Sequence, residues 1–370
     1  MGQLLSLLAQ APRREIPLID LILSISSPTE HCIPWDSYVE SEENQVLLGK
    51  VRKKYLELSE GWDIGIHALS EISYFKISLD SRALLFAPAT INLMASRMAR
   101  LRKVEWTLDD AEKLDPNIRI AQRTAFARTL TSLPSSIEEF RLEYIREPPR
   151  DRTFRPASIL PPDARGDILS QELRQLSQRL GLREFLVQAS VDTTILWPSS
   201  QDMECKPTWP TLELLRVEIN DVLPSGEWVE IRDPEDSNDE LAEDTDEDER
   251  LEIEVPGEER GRRFNPIFNP VHFDQFALAV ARAASQMPKI EEMYLAYQGY
   301  APMSIGFVTR DCFTWERKRK PHLEFCGDTA SIMHPSTETM EAWRGTKAQH
   351  NLEWNVHFAD NGSQYHIGDF

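Results

Sequence analysis

Cysteine is scarce and scattered. The chain carries four in 370 residues, Cys32, Cys205, Cys312 and Cys326, which suits a reducing compartment, cytoplasmic or nuclear, better than a disulfide framework. Long apolar runs are missing too. Stretches such as Leu18–Ile25 and Ala83–Ala87 fall far short of the roughly 20 residues that cross a bilayer, so no transmembrane segment is expected. Nor does the start have the order of a secretory signal: Met1–Ala11 carries no base ahead of its leucines and meets Arg13 and Arg14 after them. No basic block exceeds Arg317, Lys318, Arg319, Lys320, which reads as a solvated loop, and no nucleic-acid partner is expected without a basic surface to displace counterions.

The strong chemical motifs are absent as well. The chain has no Gly-x-Ser-x-Gly elbow, phosphate-binding loop with lysine, His-Glu-x-x-His pair or dinucleotide fingerprint. Cys312, Cys326, His322 and His334 match no common zinc spacing. His31 and Cys32 adjoin in sequence, which does not make them face one another. Asp109 and Asp110 are expected to mark a helix start after Leu108. No catalytic residue, metal or cofactor is therefore assigned. Met1, Gly2 and Ser6 fit an N-myristoylation pattern, read here as an ordinary apolar helix start, and Asn361, Gly362, Ser363 is an incidental sequon.

Acid is abundant, and concentrated. The net charge is −20, and sixteen acidic against two basic residues between Glu230 and Glu259 supply −14 of it. With little to bury and much to repel, residues 233–257 are expected to form a disordered loop. The rest of the chain is only mildly acidic.

An internal repeat organises that rest. Apolar residues recur in one spacing at Ile72, Phe75, Ile77; Leu101, Val104, Trp106; Ile137, Phe140, Leu142; Leu182, Phe185, Val187; Leu212, Leu215, Val217; and Ile290, Met293, Leu295. The spacing describes a turn that drops one apolar residue into the core, followed by a strand with alternate residues inward. Helical patterns precede several copies: Ile91, Met94, Ala95, Met98; Leu169, Leu173, Leu176, Leu180; and Phe276, Val280, Ala283, Ala284, Met287. Pro134, Pro210 and Pro288 stand just ahead of three strands.

The expected fold is α/β: an irregular leucine-rich-repeat-like array of parallel strands with outer helices, closed by a C-terminal α+β cap. Its expected parts are an N-terminal helical or mixed segment (1–70), the array (71–232), the acidic loop (233–257), a continuation of the array (258–297) and the cap (298–370). Strands are expected in the cap at Met303–Val308, His322–Cys326 and Leu352–Phe358, with helix over Glu338–Trp343. If the apolar positions face inward, Lys76, Glu105, Arg141, Leu186, Arg216 and Tyr294 form the central column of the opposite face. Arginine and tyrosine there suit a protein-binding surface.

The C-terminal half resembles an uncharacterised fungal family whose members often carry an F-box ahead of a degenerate leucine-rich-like region. The resemblance rests on Trp209, Pro210, Thr211, Leu212, Leu215; on Ala283, Ala284, Met287, Pro288, Ile290, Glu291, Met293; and on Phe307, Leu323–Phe325, Gly327, Asp328, Thr329, Pro335, Ala342, Trp343. An F-box itself is not evident, because Arg14–Leu23 lacks its leucine-proline start and following helices, and Leu21–Ser27, His31 and Trp35 resemble the family's region after it. The resemblance implies a shortened member or a truncated gene model, a protein-interaction role and a ubiquitin-ligase adaptor or substrate as partner. A hydrolase or transferase with dispersed residues, and a dormant fragment, are the alternatives.

Overall fold

The computed structural model describes residues 2–25, 54–58, 68–78, 84–110, 115–161 except 147 and 150, 164, 166–199, 206–234, 257, 266–310, 312–313, 318–319, 321–327, 335–350, 352 and 356–360. The chain forms two compact units, Met1–Ile159 with Asp239–Arg263, and Leu160–Asn238 with Phe264–Phe370. Of the acidic stretch, residues 235–256 lie outside the described residues.

The first unit contains α1 (Gly2–Ala9), β1 (Ile19–Ser24), β2 (Lys54–Leu56), β3 (Ile72–Ser78), β4 (Leu84–Phe86), α2 (Pro88–Ala95), β5 (Lys103–Asp109), α3 (Pro116–Thr129) and β6 (Glu139–Ile145). Strands β1, β3, β5 and β6 lie side by side, all parallel. Phe75, Val104 and Phe140 share one row, and Ile77, Trp106 and Leu142 the next. All six are buried. Trp106 takes Phe75 and Phe140 edge-on at 6.0 and 5.8 Å, an arrangement that favours aromatic quadrupoles. Asn92 of α2, fully buried, donates to the Phe126 carbonyl at 3.1 Å and to Thr129 Oγ1 at 2.8 Å, tying α2 to α3.

The second unit contains α4 (Ile168–Ser177), β7 (Glu184–Ala189), β8 (Leu214–Ile219), β9 (Glu230–Arg232), β10 (Pro266–Phe268), α5 (Pro270–Ala284), β11 (Glu292–Tyr297), β12 (Met303–Val308), β13 (Cys312–Phe313), β14 (Lys318–Arg319), β15 (His322–Gly327), α6 (Thr337–Gln349) and β16 (Val356–Asp360). Its sheet runs β7, β8, β11, β12, β15, β16, with β7–β8–β11 parallel, β12 antiparallel to both neighbours, and β16 parallel to β15. Phe185, Leu215 and Met293 align, as do Val187, Val217 and Leu295. The α/β class and the register of the repeated spacing are thus observed in both units, with parallel pairing throughout the described strands of the first and mixed pairing in the second.

The strands expected after Tyr297 extend this same sheet. Trp343 of α6 packs against Phe307 and Phe325 of β12 and β15, and His350 Nε2 bonds the Ala284 carbonyl at the end of α5 at 2.9 Å.

Three expectations are corrected. Asp109 and Asp110 do not begin a helix: Asp109 ends β5, and the helix begins at Pro116, where the Asp115 side chain caps it by accepting from the Asn117 amide. Leu180 is not on a buried helical stripe. Helix α4 stops at Ser177, the chain turns through Gly181 at φ 96°, and Leu180 is left exposed. The last strand starts at Val356 rather than Leu352.

Candidate protein-binding site

Alternation along each strand sends the residues between the apolar positions to the opposite face. In the first unit, Lys76, Glu105 and Arg141 stand directly beside one another on β3, β5 and β6, and each is half-buried. Lys76 Nζ contacts Glu105 Oε1, while Tyr74, two residues back on the same face, donates its hydroxyl to Glu105 Oε2 at 2.9 Å.

Burial opposes ionisation of Glu105, yet the hydrogen bonds from Lys76 and Tyr74 and the charges of Lys76 and Arg141 hold its carboxyl below the usual range. The Tyr74 phenol is pushed up to about 12, by burial first and then by the Glu105 hydrogen bond and charge. Next to this set, Lys103 pairs with Glu139 at 3.0 Å, and its ammonium also lies 5.7 Å from the Tyr74 ring centre. Charge on this face is largely matched within the face.

In the second unit, Leu186, Arg216 and Tyr294 align on β7, β8 and β11. The Arg216 guanidinium lies over the Tyr294 ring, 5.4 Å from its centre. Gly306 on β12 is the next partner in the row, and a Cβ there would meet the Tyr294 ring at 3.7 Å. The missing side chain leaves that flank of the ring uncovered by residue 306. Burial raises the Tyr294 phenol, against a hydrogen bond from Ser304. Two residues farther along the strands, on the same face, the buried Glu218 accepts from Gln188 Nε2 at 3.0 Å.

The sequence-expected column is therefore realised as two half-columns, Lys76–Glu105–Arg141 and Leu186–Arg216–Tyr294, one in each unit. Tyr74 was missed, although period-2 alternation from Lys76 places it on this face. Among the described residues no group of three or more His, Cys, Asp or Glu is placed to hold a metal ion. No family model, no curated protein and no solved structure matches the chain. No helix among the described residues is long and apolar enough to cross a membrane.

Proposed function

We propose that this chain is a non-enzymatic protein-interaction module, built as a leucine-rich-repeat-like array and using the strand face opposite its core. The observation that carries this reading is the Arg216–Tyr294 stack beside Leu186 in the second unit. Arginine and tyrosine offer large contact area with polar tips, and a stacked guanidinium is held in place before a partner arrives, which lowers the entropy lost on binding. The first unit's column contributes less, because Glu105 already engages Lys76 and Tyr74. The fungal family resemblance adds the partner class: a substrate, or an adaptor, of a ubiquitin ligase.

Separate Arg216→Glu and Arg141→Glu variants test this by quantitative pull-down from the native cell, with circular dichroism and melting as the folding control. Arg216→Glu should keep the fold and lose recovery of specific partners at least about tenfold, since a charge reversed in a desolvated contact costs about 2–5 kcal/mol. Arg141→Glu should lose less. Unchanged recovery of every partner with Arg216→Glu removes this face as the binding site.

A further inference from the structure

Strand β1 ends the sheet of the first unit: among the described residues its one strand neighbour is β3. The Ile19 amide donates to the Glu71 carbonyl at 2.9 Å. Backbone groups of successive strand residues point alternately to either side, so those of Leu21 and Leu23 also turn to β3, while those of Asp20, Ile22 and Ser24 turn away from it. The one irregularity in register lies on β3, where Ile19 faces Ile72 and Asp20 faces Tyr74, so the alternation along β1 is unbroken. An edge of this kind is a template for a further strand, which proteins commonly blunt with lysine, proline or a bulge. Within β1 only Asp20 is charged, and Leu18 just ahead of it and Ile22 inside it are 62% and 58% exposed.

The order of side chains matches this strand to a reversed copy of itself. Asp20, Ile22 and Ser24 are all exposed, on the face that carries Tyr74 and Lys76. With Ile22 opposite Ile22 of a second copy, each Asp20 falls opposite a Ser24, whose hydroxyl can donate to the carboxylate. On the core face, Leu21 falls opposite Leu23. All three outward residues then pair, which supplies about six backbone hydrogen bonds. Moving the axis to Leu21 sets Asp20 against Ile22, and moving it to Asp20 sets two carboxylates against one another.

We infer that β1 is a dimer edge: two copies of this chain join antiparallel through Asp20–Ser24, about an axis at Ile22, in a self-matching contact that closes at two. The contact stands whether or not Arg216 and Tyr294 bind a partner.

Sedimentation equilibrium of the full chain across micromolar concentrations should give a dimer. Ile22→Lys brings two ammonium groups together on the axis and should raise the dissociation constant at least about tenfold. Leu18→Lys, at an equally exposed position off the axis, should leave it within about threefold. Circular dichroism checks that both variants keep the fold. Ile22→Cys gives a readout that needs no weakening. Opposite residues of a hydrogen-bonded pair have Cα atoms about 5.5 Å apart, within disulfide reach. Mild oxidation should therefore join two chains through position 22, mapped by mass spectrometry, whereas Leu18→Cys should not join them through position 18. A monomeric parent overturns the inference, as does a dimer that Ile22→Lys leaves unchanged or one in which the 22–22 link does not form. A monomeric parent that loses a captured protein on Ile22→Lys would give the edge to another protein's strand instead.

Discussion

Asp110 receives Arg119 as a two-pronged ion pair, Nε to Oδ1 at 2.7 Å and Nη2 to Oδ2 at 2.5 Å, with both side chains almost wholly buried. Arg123, also buried, brings a second guanidinium to 3.9 Å from the same carboxylate. This pairing joins the end of β5 to α3, and Tyr144 on β6 is pushed far up by burial beside it, the Asp110 charge adding to the effect. Removing the carboxylate strands two buried cations. Asp110→Ala should therefore destabilise the fold by about 3–5 kcal/mol, the usual cost of breaking a buried pair from one side. Urea unfolding monitored by tryptophan fluorescence gives the number, and a loss below about 1 kcal/mol would show that the arginines find other compensation.

The Tyr74–Glu105 bond predicts an alkaline signature. With the phenol at about 12 in the fold and near 10.0 when unfolded, the folded state holds this proton more tightly. Stability relative to Tyr74→Phe should therefore fall as pH rises from 10 towards 12 and be unaffected below. Paired denaturation curves measured across that range decide it, and a difference that stays flat would place Tyr74 away from Glu105 in solution.

Phe140 and Leu215 occupy equivalent rows of the two units and are both buried. Phe140→Asp and Leu215→Asp each put a carboxylate into an apolar core, a change too costly for a domain of ordinary stability. Each variant should be insoluble or lack a cooperative thermal transition. A soluble variant melting cooperatively within about 5 °C of the parent would contradict the register.

Between Glu230 and Glu259, sixteen acidic residues against two basic ones leave little apolar surface to bury. Replacing residues 235–254 with a short glycine-serine linker, while keeping Gly257, should lower the melting temperature by less than about 5 °C, because a segment so rich in like charge has little apolar surface to bury. Calorimetry at low and high salt gives the comparison, and a larger drop would mean that the segment buries apolar surface.

Much of the array was legible because each unit repeats one demand. Phe75, Val104, Phe140, Phe185, Leu215 and Met293 recur at one place in the spacing and occupy equivalent strand rows within their units. Helix α3 was not legible. The face it buries is Arg119, Arg123, Phe126 and Ala127, so half of its inward positions are charged and no apolar period appears; Asp110, from the end of β5, pairs with both arginines inside. Strand β1 escaped for a related reason. It has one parallel neighbour, β3, and Leu18 and Ile22 remain exposed, so its apolar run carries no clean alternation.

What the sequence determined by itself is the strand face: a period of two allows a residue only one of two sides, so Lys76, Glu105, Arg141, Leu186, Arg216 and Tyr294 follow directly from the buried positions between them. What only the tertiary structure decided is how those side chains spend their charge. Glu105 turns along the face to Lys76 and Tyr74, whereas Arg216 settles on the Tyr294 ring, whose neighbour in the row on β12 is Gly306. Those choices depend on which strands become neighbours, and neighbours here are brought together across 29 to 78 residues of intervening chain. Local spacing can state a side chain's direction, but only the packed sheet supplies the atoms it meets.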